Sequence, residues 1–388
     1  MKKFLIFRYL ICVFSFWFLI FSFTISCGQK ETNTIRIGLI VPITGDVKTF
    51  GESVRNSVLL AVEEANAKGG VNNKMIKIAT ADDKNDPTEA ANACSKLINQ
   101  DKVKFIIGSV ASKSSIPLSE ICQEAKVVMI TPTSTNPKVT VRDNGERKDY
   151  VFRACFIDPF QGTVAAKFAI ENLKVNNTAI LYDISNDYVK GLAEYFKDAF
   201  TKMGGKILVY ESYGKDDVDF SALLTKIKAN NPQVLFIPDY YNKVGLIAKQ
   251  ARAIGIKSIF LGGDGWDSPE MAKIAGDAIN GGYFTNHYSP QDPRPEVQEW
   301  VAKYKVKYLS NPDALATLGY DATLLLLEGI RVAGKEDATL VRDALTKMSN
   351  FPTVSGNITF DAFGNPVKNA VILQYQNGEQ KYVTTVQP

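Results

Sequence analysis

Short runs of β-branched residues alternate with helical patterns from Thr34 to about residue 261, and this alternation restricts the fold more than any other feature. Ile35-Arg36-Ile37-Gly38-Leu39-Ile40-Val41 reads as a buried strand. Val54, Val58, Ala61, Val62 and Ala65 then recur on one face of a helix, which Gly69-Gly70 stops. The cycle predicts further strands near 75–80, 103–108, 126–131, 177–182, 206–211, 233–237 and 257–261. Between them, Val189, Leu192, Ala193, Phe196 and Phe200 mark one helix, and Phe220, Leu223, Leu224 and Ile227 another. Such alternation implies parallel sheets wound by right-handed crossovers, an α/β fold. The strands are too many for one sheet of ordinary size, so two lobes are expected, each a doubly wound, Rossmann-like sandwich. A polar loop over 136–150 precedes a first crossing near Val151–Phe156, and a stretch with three prolines, 286–295, interrupts the pattern again. Two helical patterns follow, Val297–Tyr308 and Ala316–Val332, then strand-like runs near 357–360 and 370–375.

The N-terminus carries a separate signal. Lys2, Lys3 and Arg8 precede an uncharged apolar run from Tyr9 to Ile25 that ends in small residues and Cys27, the pattern of a secretory signal peptide over 1–26. Phe23-Thr24-Ile25-Ser26-Cys27 resembles a bacterial lipobox, with Thr24 where Leu is usual. That makes Cys27 the expected lipidation site and 27–33 a short tether; an uncleaved anchor and free secretion are the alternatives. Without the three basic residues of the leader, the net charge of +4 falls to +1. There is no basic stripe to engage nucleic acid. Of the five cysteines, Cys94, Cys122 and Cys155 remain beyond Cys27, with no metal-type spacing, and Cys94 with Cys122 is the one plausible internal pair.

In an open parallel sheet, ligands bind beyond the carboxyl ends of the strands. The loops at those ends hold Phe50, Val110-Ala111-Ser112, Thr133-Ser134-Thr135-Asn136-Pro137, Tyr188, Asp239-Tyr240-Tyr241 and Asp264 among glycines. Hydroxyls, a helix start, two acids and several aromatics are the groups a zwitterion needs. Each has a plainer role available: Ser112 as a helix cap, Thr135 with Asn136-Pro137 as a turn, Tyr188 and Tyr240 as packing. The acidic run Asp82–Asp86 reads as a strand end with Asp86 capping a helix that begins at Pro87, in preference to a metal site. No GxGxxG, Walker A, HExxH or GxSxG motif occurs. The sole histidine, His287, lies in the proline-rich stretch and is a poor general base by position. No enzyme activity, cofactor or metal is expected.

Ile37-Gly38-Leu39-Ile40-Val41-Pro42 with Thr44-Gly45, Gly51, Glu63-Glu64-Ala65-Asn66 and Lys68-Gly69-Gly70 resembles the opening of the branched-chain amino-acid-binding proteins, receptors of ABC importers with the type I periplasmic binding protein fold. Asp82-Asp83, Asp86-Pro87, Ile107-Gly108, Thr131-Pro132, Phe152-Arg153, Asp158, Gln161-Gly162, Phe220-Ser221 with Leu224, and Gly319-Tyr320-Asp321-Ala322 continue it to the end of the chain. The resemblance implies two lobes joined by a three-crossing hinge, 34–154 with 287–364 and 155–286 with 365–388. It implies a monomer that captures an L-amino acid, perhaps branched-chain, and delivers it to ABC permease subunits from a lipid-anchored position on the periplasmic side of the envelope. A sensory receptor domain for amides or amino acids is the alternative, since one fold serves both. By resemblance, Ser112 and Thr135 hold the α-carboxylate. Asp264, the Thr133 carbonyl and the Thr135 hydroxyl hold the ammonium, and Tyr240 closes over the ligand. Phe50, Val110, Tyr188 and Leu315 line the side-chain pocket. Asp264 stands where leucine binders have the longer Glu, and Phe50 where they have Trp. The cysteines that pair in enteric members fall at Asn85 and Ala111, and Asp239 adds a second acid near the cleft.

Overall fold

In the first sheet of the protein, a computed structural model describing residues 33–388, five strands run in the order β2-β1-β3-β4-β5. These are β1 (Thr34–Val41), β2 (Met75–Asp82), β3 (Phe105–Gly108), β4 (Val128–Thr131) and β5 (Val151–Arg153). β1 pairs with β3, β3 with β4 and β4 with β5, all parallel. The leader and Cys27 lie outside the described residues. Helices α1 (Lys48–Ala67), α2 (Pro87–Asn99) and α3 (Ser112–Ala125) make the crossovers. The strand cores are apolar on both faces: every residue of β3 and β4 is buried, as a parallel sheet covered by helices requires.

A second sheet of seven strands has the order β14-β13-β10-β9-β8-β6-β7. Its parallel part is β6 (Asn177–Asp183), β7 (Lys206–Tyr213), β8 (Val234–Phe236), β9 (Ile259–Gly262) and β10 (Tyr283–Asn286). Helices α4 (Asp158–Lys167), α5 (Asp187–Lys202), α6 (Ser221–Asn230), α7 (Tyr241–Ala253) and α8 (Pro269–Ala275) connect them. The chain then supplies α9 (Pro295–Tyr308), α10 (Ala314–Ala333) and α11 (Ala338–Thr346), of which α10 packs along α1. A small hairpin, β11 (Phe351–Thr353) with β12 (Gly356–Ile358), precedes β13 (Ala370–Gln376) and β14 (Glu379–Val386), which close the second sheet as an antiparallel edge. The chain therefore passes between the sheets after β5, after β10 and before β13, the three-crossing arrangement. Ile35–Pro388 forms one compact unit.

Several local expectations resolve cleanly. Asp86 accepts from Thr88 N–H and Glu89 N–H at the start of α2, with Pro87 in the first turn. Asp82 accepts from Ile43 N–H, Lys84 N–H and the Thr44 hydroxyl, so the acidic run is held by protein donors. Ser112 does not cap α3: the cap position is Ala111, and the Ser112 hydroxyl accepts from Asn136 N–H at 3.2 Å. Cys94 and Cys122, the one plausible pair, face each other from α2 and α3 as buried free thiols with Sγ atoms 3.7 Å apart. Strands β5, β10, β11 and β14 have no counterpart among the strands expected from the sequence, β5 lying where a crossing is expected. β10 runs straight into the proline-rich stretch, and β14 is an exposed edge with little apolar alternation.

Candidate functional site

The ends of the parallel strands from both sheets face one cleft, and short polar bonds fix its walls. On the first-sheet side, the loops after β3 and β4 are tied together by hydroxyls. Thr131 Oγ1 donates to Ser109 O at 2.6 Å, Thr133 Oγ1 to Val110 O at 2.8 Å, and Ser134 Oγ to Val110 O at 3.0 Å. These bonds hold Val110, Ser112 and Thr133 side by side at the start of α3, whose first backbone N–H groups attract an anion. Arg153, fully buried, braces the same loop by donating to Ser134 O at 2.6 Å and Asn136 O at 3.0 Å.

On the second-sheet side, Tyr188 from the first turn of α5 stacks on Tyr240, with ring centroids 5.3 Å apart and planes 4° from parallel. Phe50 meets Tyr240 edge-on at 5.6 Å from the start of α1. The two tyrosines lie over the glycine loop after β9. A Cβ on Gly265 would come within 2.9 Å of Asp239 O and 3.0 Å of the Tyr240 ring, so only a residue without one lets the rings sit so close.

Asp264 is the centre of this wall. Its Oδ1 accepts from Tyr188 OH at 2.8 Å and from Gln161 Nε2 at 2.9 Å, and its Oδ2 lies 2.9 Å from His287 Nε2. Gln161 comes from α4, and its Nε2 also donates to Thr285 Oγ1 at 2.9 Å. Burial, reinforced by the Asp264 charge, pushes the Tyr188 phenol well above its ordinary range, so it remains a donor. Burial lowers the affinity of His287 for a second proton, against the pull of Asp264.

Together these residues form a narrow cleft lined by Phe50, Val110, Ser112, Thr133, Tyr188, Tyr240, Asp264, Gly265 and Leu315. Every residue assigned to ligand contact from the sequence lines it except Thr135. That residue is buried outside the lining, where its hydroxyl meets the Asp158 carboxyl and its carbonyl accepts from Asp158 N–H at 3.0 Å. Asp239 is likewise outside the lining. Its carboxyl is taken up by the Tyr213 hydroxyl and by Tyr240 N–H, and burial pushes it up to about 7. The expected second acid of the cleft is therefore a buried acid behind it. Two residues that sequence reasoning did not place here are Gln161 and His287. Gln161-Gly162 carried a family resemblance without a role; His287 had only its solitary occurrence as a signal.

A family model for periplasmic binding proteins matches residues 34–380. The chain belongs to the periplasmic binding protein family. This binding protein is 36% identical over 358 residues to a Leu/Ile/Val-binding protein homolog of Brucella abortus, covering 92% of this chain and 94% of the relative. A leucine-binding protein from Thermotoga maritima superposes with a TM-score of 0.87 at 38% identity, over 91% of this chain and 99% of that one. A branched-chain amino acid transporter substrate-binding protein from Streptococcus pneumoniae, solved in complex with isoleucine, gives a TM-score of 0.86 at 30% identity, over 92% and 100% of the two chains. Membership fixes the class: an extracytoplasmic solute-binding protein of the type used by ABC transporters, and not an enzyme. Among the described residues of this binding protein, no helix is long and apolar enough to cross a membrane.

Proposed function

We propose that this periplasmic binding protein captures an L-amino acid with a branched aliphatic side chain and presents it to the permease of an ABC importer. The observation that carries the proposal is the pairing, across one small cleft, of the Asp264 carboxylate with the hydroxyl-lined start of α3. An α-ammonium is drawn to the first and an α-carboxylate to the second. Ser112, whose hydroxyl proton is free to donate, takes the carboxylate. Thr133 contributes its carbonyl to the ammonium. Thr135 is assigned to both ends. Phe50, Val110, Tyr188 and Leu315 bound the side chain, and Tyr240 closes over it. None of the lining residues is Arg or Lys, so a ligand with an acidic side chain would bury an unpaired charge. The relatives named for leucine, isoleucine and valine support an aliphatic ligand.

In this reading the lobes are 34–154 with 287–364 and 155–286 with 365–388. They close as jaws, a lipid on Cys27 holds the monomer at the membrane, and no metal or cofactor takes part. A calorimetric panel of the common L-amino acids tests the ligand class. Leucine, isoleucine and valine should bind in a series graded by about 0.8 kcal/mol per methylene that fits. Tightest binding by glutamate or aspartate would refute the proposal, and lysine or arginine in first place would move the recognition elsewhere.

A further inference from the structure

The Asp264 carboxylate has four places for hydrogen-bond donors, and the structure distributes them unevenly. Oδ1 already accepts two, from Tyr188 and Gln161, whereas among the described residues Oδ2 accepts from His287 alone. The remaining acceptor site is therefore on Oδ2, the oxygen that His287 holds. We propose that His287 is a positioning residue of the binding site: as the neutral Nε2–H tautomer it donates to Asp264 Oδ2 and holds that carboxylate in the orientation that meets a ligand ammonium.

The tautomer follows from the surroundings. A carboxylate only accepts, so the proton of this bond sits on Nε2. Nδ1 is buried with no partner among the described residues, and the ring lies stacked on Phe156 with centroids 3.7 Å apart. A second proton on Nδ1 would be a buried, unpaired donor. Asp264 and Lys368 are the charged groups that bear on the ring; Lys368, buried in the chain leading to β13, opposes a positive imidazole. Placement matters because Asp264 stands on a single turn between Gly263 and Gly265, where the backbone itself offers little constraint. His287 follows β10 in the segment that leads back to the first sheet, so the carboxylate is anchored to the crossing as well as to α4 and α5.

This inference rests on the ammonium-binding role proposed for Asp264, and the experiment separates the two. The chain has one histidine, so a long-range ¹H–¹⁵N spectrum of the labelled wild-type protein reports this ring alone. The expected pattern at neutral pH is the Nε2–H tautomer; the Nδ1–H tautomer or an imidazolium would overturn the proposal with or without ligand. For function, L-leucine is compared with 2-hydroxy-4-methylpentanoate, which has a hydroxyl in place of the amine. His287→Leu should weaken leucine about ten- to hundredfold, the range for loss of a hydrogen bond to a charged group, and change the hydroxy acid by less than about twofold. His287→Gln, which keeps a side-chain N–H donor, should recover most of the leucine affinity. Equal losses for both ligands would make His287 a packing residue and defeat the proposal. Failure of the wild-type protein to bind any branched-chain amino acid would instead defeat the proposed function, with the tautomer still judging His287.

Discussion

Asp267 Oδ2 accepts a 2.8 Å hydrogen bond from the Ala314 backbone N–H, joining the loop after β9 to the first turn of α10 across the mouth of the cleft. The same carboxylate accepts from Asn286 Nδ2 at 2.9 Å and, through Oδ1, from Gln380 Nε2 at 2.7 Å, so the second-sheet side presents it rigidly. Two more bonds bridge the sides directly. Thr49 Oγ1 lies 3.2 Å from Ser268 Oγ, and Tyr241 OH donates to Asp46 O at 3.3 Å. The two sides are therefore bonded to each other directly.

Thr49→Val probes the first of these two contacts, since it keeps the shape and removes the hydroxyl that meets Ser268 and also bonds Tyr241. A neutral hydrogen bond is worth about 1 kcal/mol net, so ligand affinity should fall about fivefold. The melting temperature of the free protein should hardly move. Titration calorimetry with the wild type as reference checks both, and an unchanged Kd would mean that the bridge does not report closure.

Asp264→Asn should cost far more than Asp239→Asn. The first acid lines the cleft; the second is occupied by Tyr213 and Tyr240 N–H outside it. Removing one member of a desolvated charge pair costs about 2–5 kcal/mol of binding. Comparable small losses for both variants would show that the ammonium binds elsewhere.

Stability should fall as pH rises from about 4 to 8. Burial is the largest influence on Asp158, Asp239 and Asp83, and pushes their carboxyls up from an ordinary 3.8 to about 8, 7 and 6. The folded chain holds these protons more tightly than the unfolded chain. Their contribution is full below the unfolded pKa and is lost as pH climbs through the folded values. His287 acts oppositely: its lowered pKa reduces stability as pH drops below about 6.5. Asp158→Asn, which keeps the volume and removes the titration, should flatten the decline between pH 6 and 8. Denaturant midpoints across that range decide the matter, and an unaltered slope would show that Asp158 is not its source.

Much of this arrangement is legible in the sequence because parallel strands advertise themselves. Phe105–Gly108 is apolar throughout and Ile35–Val41 is broken by Arg36 alone, and the residues following such runs must sit at one edge of the sheet. That rule, with the resemblance, selected Phe50, Val110, Ser112, Thr133, Tyr188, Tyr240, Asp264 and Leu315 before their proximity was known. What escaped was what lacks a periodic signature. β14 is half exposed, but Asn377-Gly378 before it, both at positive φ, is a hairpin turn signal that could have found it. Gln161 and His287 reach the site from a helix and a crossing 126 positions apart, and no local pattern links residues that only the tertiary fold brings to one carboxylate.

Cys27→Ser tests the membrane attachment. The variant should lose incorporation of labelled fatty acid and accumulate as unprocessed precursor, because lipid transfer to the cysteine precedes cleavage of the leader. Label persisting on the variant would end the lipoprotein assignment. Wild-type protein at the membrane with residues 1–26 still attached would favour an uncleaved anchor.

Gly263→Ala should weaken ligand binding although Gly263 itself does not line the cleft. A Cβ at this position would lie 2.6 Å from Tyr188 OH, 2.6 Å from Leu192 Cδ2 and 3.0 Å from Gln161 Nε2. The first and last are the two donors to Asp264 Oδ1, so relief of the clash must displace at least one of them. Leu192 is fully buried on α5 and has no free direction in which to retreat. Overpacking of this kind costs about 1–3 kcal/mol of stability. Loss of one hydrogen bond to a charged group should cost a similar amount in ligand affinity, about tenfold or more. Gly204→Ala is the control: it has positive φ but no atom within 4 Å of the new methyl, so it should strain the backbone and lower the melting temperature while leaving Kd unchanged. If the two variants lower stability alike and neither alters Kd, the Tyr188–Asp264–Gln161 arrangement does not govern recognition.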